Sequence, residues 1–353
     1  MLPTLISFVI TIFIFGLLIF VHELGHYLVA RAFGVGVIEF AIGMGPRIKS
    51  WEGKYNTFSI RAIPIGGFIN MVGEYDDEIP EEHKFKIPLN TKPVWQRMLI
   101  TIAGPLMNIA LAFLVMAVIV SCTSMIGSTI VHSFEENSVF ESAGLMPSDE
   151  IVRVDGKNVR CYQDLSYKIM SSAGEEIDVT VLRNGERITF ENIRLNTLIE
   201  NGIEYGEMDF YVQDAEKTLG RVLYEAFWQS VSTVYMTVDS LIDTFSGKYG
   251  MDAVGGPIAI GGEINDTIQQ SVGFAETAMN LGMLTVLISV SLGICNLLPI
   301  PVLDGGRLLF YLIELVTKKP VNKKFEQTVS SVFTALLMLL MIFVALKDIV
   351  GLF

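Results

Sequence analysis

The chain has 353 residues, of which 51% are hydrophobic, and its mean hydropathy is +0.49. Few soluble proteins of this length are so apolar, so a membrane is the expected solvent. The formal net charge of −13 argues against a nucleic-acid partner, because phosphate binding requires a basic face. The cysteines Cys122, Cys161 and Cys295 are odd in number and lack metal-type spacing, so no disulfide framework is indicated.

Four uncharged stretches mark candidate membrane helices. Each reaches the roughly 20 residues that a helix needs to cross the hydrocarbon core. The first lacks a basic start and a small-residue cleavage site, so it is expected to be retained rather than removed as a signal peptide. The predicted spans lie in the stretches 1–21, 98–131, 277–303 and 327–346.

The charge distribution predicts an orientation. The segment 121–276 is predominantly acidic, whereas the segment after the third span is basic. By the positive-inside rule, the first and third loops face the cytoplasm, and the acidic segment and both termini face outward. This orientation depends mainly on Arg307, Lys318, Lys319, Lys323 and Lys324.

The loop after the first span contains a strand pattern, because Phe58, Ile60 and Ala62 alternate with polar residues. Gly66 and Gly67 then predict a turn or a bulge. An edge hairpin near the membrane is therefore expected over residues 56–70, with either a functional or a purely structural role.

The outer segment begins with an α+β module. Ile177, Val179 and Val181 alternate before an Asn184–Gly185 hairpin turn, and a short helical piece and a strand precede them. The pattern resembles a bacterial protease-associated PDZ domain, a module that binds extended peptides by strand addition. Ser148 occupies a position where that pattern usually has glycine.

Two further segments separate this module from the third span. Apolar residues recur at helical spacing over 219–245 but are interrupted by polar ones, which predicts an amphipathic helix on the membrane or over the bundle. The glycine-rich stretch 255–262 lacks the lysine and the strand-to-helix setting of a phosphate-binding loop.

The run His22-Glu23-Leu24-Gly25-His26 indicates a metal site. Histidines at i and i+4 point from one helix face and can bind one zinc ion, and Glu23 lies close enough to act as a general base. The alternative is a structural histidine pair with an incidental glutamate. An ionisable cluster at the end of an apolar span favours function.

A catalytic zinc site requires a third protein ligand, and Asp304 is the candidate. It follows a stretch with two prolines and precedes Gly305 and Gly306, so the backbone there is expected to be irregular. Irregular backbone at membrane depth occurs only inside protein or beside a water-filled cavity. Both halves of the site are predicted on the cytoplasmic side.

Three motifs together resemble the site-2 protease family: the histidine run in the first span, Ala103–Asn108 in the second, and Asn296–Gly306 around Asp304. The order of elements is similar to that of the bacterial RseP/RasP-like branch, here with one PDZ domain. The resemblance covers nearly the full chain.

The resemblance implies a function and roles for individual residues. The expected activity is that of a zinc (Zn2+) intramembrane endopeptidase in regulated intramembrane proteolysis. Known members cut single-span membrane proteins, such as anti-sigma factors and remnant signal peptides. An upstream site-1 protease first cleaves the substrate outside the membrane. The zinc ligands would be His22, His26 and Asp304, the catalytic residue Glu23, and the substrate-binding residues Asn296, Asn108, Gly66, Gly67 and Phe68.

The expected fold is a polytopic α-helical membrane protein with four transmembrane helices, a membrane-associated β-hairpin and an inserted α+β PDZ-like domain. It would lie in the bacterial inner (plasma) membrane, with the site near the cytoplasmic side and the PDZ-like domain outside. A non-catalytic PDZ membrane adaptor and a small ion-coupled transporter are the alternatives. The predicted segments are helix 1 (1–33), the hairpin loop (34–96), helix 2 (97–122), the PDZ-like domain (126–212), the amphipathic and Gly-rich segment (218–275), helix 3 (277–316) and helix 4 (326–350).

Overall fold

The computed structural model describes residues 2–74, 86–200, 203–247 and 255–351. The helices are α1 (Leu2–Ala32), α2 (Val94–Cys122), α3 (Val139–Ser142), α4 (Tyr162–Met170), α5 (Leu219–Phe245), α6 (Pro257–Gln270), α7 (Phe274–Leu297), α8 (Asp304–Thr317) and α9 (Lys323–Gly351). The strands are β1 (Val37–Glu52), β2 (Thr57–Met71), β3 (Ile126–Phe134), β4 (Glu150–Val154), β5 (Lys157–Asn158), β6 (Glu176–Arg183), β7 (Glu186–Arg194), β8 (Thr197–Glu200), β9 (Ile203–Gly206) and β10 (Phe210–Ala215). They form two compact units, Met1–Val115 with Thr237–Phe353, and Met116–Met236.

Four helices in the described ranges are long and apolar enough to cross a bilayer: Leu5–Ala32, Val94–Cys122, Phe274–Leu297 and Lys323–Val350. They agree with the four predicted spans and are consistent with a polytopic membrane protein. The uncharged run 98–131 extends beyond the C-terminal end of the second helix, because α2 ends at Cys122 and the run continues into β3. A strand that packs into a domain core lacks charge for the same reason as a membrane helix.

The third span is interrupted before Asp304. Helix α7 ends at Leu297, residues 298–303 are not helical, and α8 begins at Asp304. Pro299 and Pro301 lie in the gap, where proline removes a backbone donor and disfavours the helical conformation of the residue before it. The break places a carboxylate at the start of a new helix.

Strands β1 and β2 form an antiparallel pair that bends back on itself. The connection between them lies at residues 53–56, whereas Gly66, with φ of 86°, is a bend within β2. The register pairs residues 37–42 of β1 with both 57–60 and 67–71 of β2, and 47–52 of β1 with 57–61. The result is a small sheet of four short segments. The segment 67–71, called the edge segment below, is one of its two outer segments.

Strand β1 was not predicted. Its second half, residues 43–52, contains two glycines, a proline and exposed charged residues, so it lacks the apolar alternation of a half-buried strand. Both faces of residues 44–52 are exposed, and pairing with β2 forms the strand.

The unit Met116–Met236 contains an antiparallel sheet of order β10-β3-β4-β6-β7, with β5 beside β4. Its buried core includes Phe140, Ile151, Leu165, Val179 and Phe210. Helix α4 contributes Leu165 and Ile169 to this core, so the unit is an α+β domain. Strands β8 and β9 form a separate hairpin.

Helix α6 is a helix that the sequence analysis did not identify. Its glycines lower helix propensity, but Pro257 occupies the first turn and Ile264 is fully buried with Ile14 and Leu18 of α1. Packing against α1 therefore outweighs the weak local preference. The predicted amphipathic helix over 219–245 corresponds to α5.

Candidate metal centre

His22 and His26 project from one face of α1, as their spacing requires. Their exposed fractions are 9% and 8%, and their Nε2 atoms lie 3.2 Å apart. Close packing of α1 against α2 buries this face, since a Cβ on Gly25 would lie 2.4 Å from the Ala103 carbonyl oxygen. Glu23, on the next position of α1, is half-buried.

Asp304 completes the cluster from the far end of the chain. Its Oδ2 atom lies 3.1 Å from His22 Nε2 and 3.3 Å from His26 Nε2. The tight approach of residues 298–300 to the first turn of α8 aims it there. A Cβ on Gly305 would lie 2.2 Å from the Leu298 carbonyl oxygen, and one on Gly306 would lie 2.3 Å from that of Ile300.

These three atoms fit a zinc ion. In a tetrahedral site with bonds of about 2.0–2.1 Å, neighbouring ligand atoms lie about 3.3 Å apart, which matches all three separations. Asp304 Oδ2 is buried and has no hydrogen-bond partner within the described part of the chain. Imidazole lone pairs that face a carboxylate oxygen repel it unless a cation lies between them. The donor set of two histidines and one carboxylate is typical of catalytic zinc.

Backbone and amide groups orient both imidazoles from behind. His26 Nδ1 lies 2.8 Å from the carbonyl oxygen of Ile100, to which it donates, so its Nε2 lone pair is available for a metal. His22 Nδ1 lies 3.3 Å from the Asn108 side-chain amide. Asn108 is fully buried, and the Ser289 hydroxyl donates to its main-chain oxygen at 2.7 Å.

A cleft of about 450 Å³ opens at the cluster. Glu23, His22, His26 and Asp304 line it together with Gly67, Phe68 and Asn296. The structure therefore brings these sequence-predicted residues around one space. Gly66 lies at the bend beside the edge segment, and Asn108 lies behind His22; neither is among the residues that line the cleft.

The cleft also contains charged residues that the sequence analysis did not select, Glu74 and Arg307. Arg307 lies one helical turn after Asp304, so helix periodicity could have suggested it. No local pattern marks Glu74, because its partner is distant in the chain.

The sequence model of peptidase family M50 matches residues 10–340 of the chain. The chain belongs to peptidase family M50. Regulator of sigma-W protease RasP of Bacillus subtilis is 30% identical, with 99% of each chain covered. Metalloprotease MmpA of Caulobacter vibrioides is 31% identical over 99% of this chain and 96% of that protein. Zinc metalloprotease RasP of Bacillus licheniformis is 28% identical over 99% of each.

Membership of family M50 confirms the resemblance to site-2 proteases and the expected enzyme class and cofactor. With its four apolar helices, the chain is a zinc-dependent intramembrane protease and an integral membrane protein. The adaptor and transporter alternatives are thereby disfavoured. The roles of individual residues stay predictions.

Proposed function

We propose that His22, His26 and Asp304 hold the zinc ion and that Glu23 is the catalytic acid-base residue. The convergence of the three ligand atoms at separations near 3.3 Å carries this proposal. When bound, zinc supplies Lewis acidity, which makes water more acidic and polarises a carbonyl oxygen. The Ile100 carbonyl oxygen keeps His26 in the metal-binding tautomer, and the Asn108 side chain lies against His22 Nδ1 and helps to orient that imidazole.

Glu23 lines the same cleft as the ligands, so its carboxylate can reach both the attacking water and the scissile bond. It accepts a proton from the water as the carbonyl carbon is attacked. It then returns the proton to the leaving amide nitrogen as the carbon–nitrogen bond breaks.

The substrate is proposed to bind as an extended strand beside the edge segment. A helical peptide bond hides its carbonyl in an intrahelical hydrogen bond, so a membrane helix must unwind before it is cut. Gly67 and Phe68 line the cleft on an outer segment of the sheet, where strand addition is available. Gly66 sets the bend before this segment, and the Asn296 amide contributes a polar contact.

Single-span membrane proteins are the proposed substrates, with anti-sigma factors and remnant signal peptides as the main classes. The name of the B. subtilis relative, a regulator of sigma-W protease, supports the first class. The proposed setting is the bacterial inner (plasma) membrane, with the site near the cytoplasmic side and both termini outside. The basic residues after α7 and the acidic segment 121–276 support this orientation.

The part of the unit Met116–Met236 that spans residues 126–212 is proposed to be an extracytoplasmic PDZ-like domain. Its α+β composition and its outer strands β10 and β7 support strand addition of a peptide, such as the end created by an upstream site-1 protease. The β1–β2 pair is proposed to contact the lipid bilayer through exposed apolar side chains such as Ile48 and Trp51.

The Glu23→Gln variant tests the site. Purified wild-type and variant proteins are compared for zinc content and for cleavage of a single-span substrate in lipid vesicles. The variant is expected to keep about one zinc per chain, because its ligands remain, and to lose cleavage. Glu314→Gln, a change on α8 away from the cleft, is the matched control. Cleavage by Glu23→Gln at the wild-type rate would contradict the proposed role.

A further inference from the structure

A buried ion pair crosses the wall of the cleft. The Arg307 guanidinium donates to the Glu74 carboxylate, and both residues line the cleft with the metal cluster. The exposed fractions of the two side chains are 23% for Arg307 and 5% for Glu74. Apart from the cluster and Glu23, these are the charged side chains on the described part of the cleft wall.

Each partner belongs to a different half of the proposed site. Glu74 is fastened to the end of the edge segment, because the Met71 amide donates to its Oε2 at 3.2 Å and its own amide donates to the Met71 carbonyl at 3.3 Å. Arg307 is three positions after Asp304 on α8, and therefore lies on the same helical face. The pair thus joins the proposed substrate strand to the helix that carries a proposed metal ligand.

We infer that the Glu74–Arg307 pair is a positioning element that sets the separation between the edge segment and Asp304. This inference rests on the proposed function of the edge segment and of Asp304. A peptide paired with the edge segment reaches the metal only if strand and helix keep this separation. The low exposure of Glu74 favours a persistent pair, since a lone buried charge is strongly destabilising.

A second ion pair on α8 provides a matched control. Arg97 of α2 donates to Glu314 at 2.6 Å, and the exposed fractions of these side chains are 12% and 17%. The Arg97 guanidinium also lies 4.9 Å from the centre of the Tyr311 ring. This pair anchors the same helix with similar burial, but it joins α8 to α2 and does not line the cleft.

The two pairs predict different kinetic effects. Loss of Glu74–Arg307 leaves the edge segment able to pair with substrate but misplaces the scissile bond, and a displacement of about 1 Å can lower a rate about 100-fold. We therefore expect kcat to fall about 100-fold while KM and zinc content stay at their wild-type values. Loss of the Arg97–Glu314 pair is expected to lower the melting temperature without lowering kcat at constant KM.

The experiment compares Glu74→Gln, Arg307→Gln, the double variant and Glu314→Gln as full-length proteins in lipid vesicles. Zinc content, melting temperature, kcat and KM are measured with one single-span substrate. The double variant leaves neither charge of this pair buried without the other, so it decides the question if a single variant does not fold. It is expected to lose no more kcat than either single variant, because all three changes remove the same Glu74–Arg307 pair.

An equal fall of kcat in Glu314→Gln would overturn the inference, and so would losses in the single variants that multiply in the double variant. A rise in KM at unchanged kcat would also overturn it, since the pair would then act in binding alone. The Glu23→Gln arm separates this failure from that of the proposed function. If Glu23→Gln abolishes cleavage and Glu74→Gln behaves as Glu314→Gln does, only the positioning role fails.

Discussion

Gly104 of α2 lies against a proposed metal ligand. A Cβ at this position would be 2.2 Å from His26 Nε2 and 2.6 Å from its Cε1, so no side chain fits there without moving the imidazole. Gly104 belongs to the motif Ala103–Asn108, and the contact with His26 gives a physical reason for a glycine at this position.

Gly104→Ala is expected to lower zinc content and to reduce cleavage by about 100-fold, because the displaced imidazole no longer converges with His22 and Asp304. Helix propensity alone predicts that the substitution stabilises the protein, since alanine stabilises a helix relative to glycine by about 1 kcal/mol. Zinc analysis of the purified protein checks the expectation. Gly16→Ala in α1 is the control, as a Cβ there has nothing within 4 Å. Full zinc occupancy in Gly104→Ala would refute it.

Ser148 adopts a left-handed backbone conformation, with φ of 75°, in the turn before β4. Its amide donates to the Val131 carbonyl at 2.8 Å, which holds the strain in place. Ser148→Gly is expected to raise the free energy of unfolding of the α+β domain by about 0.5–1 kcal/mol.

Hydrogen exchange of slowly exchanging amides in β4 and β6 of the full-length protein measures this change. Asn184→Gly, at φ of 52°, is the control and should gain less, because asparagine tolerates this conformation better than serine. Slower exchange in Asn184→Gly than in Ser148→Gly would contradict the explanation.

Among single residues, those with distinctive chemistry could be selected from the sequence. His22, Glu23 and His26 can be recognised because they lie within about one turn of a helix. Asp304 can be recognised because two glycines follow it. The groups behind them could not be selected in this way. The Ile100 carbonyl has no side-chain signature, and the Asn108 contact depends on how α1 packs on α2.

At the scale of elements, helix α6 depends on a cap from another helix. Asp348 of α9 is 8% exposed, and its Oδ2 accepts from the amides of Gly256 at 3.0 Å and Ala259 at 3.1 Å. The N-cap residue of α6 is Gly256, which has no side chain to satisfy these donors.

Asp348→Ala is therefore expected to destabilise the first turn of α6 by about 1 kcal/mol, as loss of an N-cap does. Faster hydrogen exchange at Ala259 and Ile260 checks this. Asp348→Asn retains an acceptor oxygen and should show a smaller effect. Unchanged exchange in Asp348→Ala would show that the contact does not stabilise the turn.

Elements with a strong apolar pattern of their own could be predicted from the sequence. Elements that depend on packing against other elements could not. The four membrane helices and α5 follow from their own apolar patterns. Strand β1 and helix α6 contain glycines that weaken local preference, and contacts with β2, α1 and α9 form them. The interruption before α8 was predictable, because prolines act on the backbone locally.

At the scale of the whole molecule, the native cysteines report orientation. Cys122 is exposed at the end of α2, whereas Cys295 is half-buried in α7. Burial raises the pKa of the Cys161 thiol to about 12, so this cysteine has almost no reactive thiolate at neutral pH. Cys122 is thus the cysteine expected to react.

With the proposed orientation, a membrane-impermeant maleimide is expected to label intact cells at Cys122, and Cys122→Ser should abolish the signal. Mass spectrometry of the purified protein identifies the labelled residue. Labelling only after the cells are opened would mean that the end of α2 faces the cytoplasm, and the orientation proposed from charge would be reversed.

The chain order of the metal cluster has a consequence for biosynthesis. His22 and His26 are synthesised early, but Asp304 is added when most of the chain has been made and the third membrane helix is complete. A nascent or truncated chain that ends before α8 has only two of the three proposed ligands. The third proposed ligand is therefore present only after the start of α8 has been synthesised, so the proposed site cannot be complete in any shorter chain.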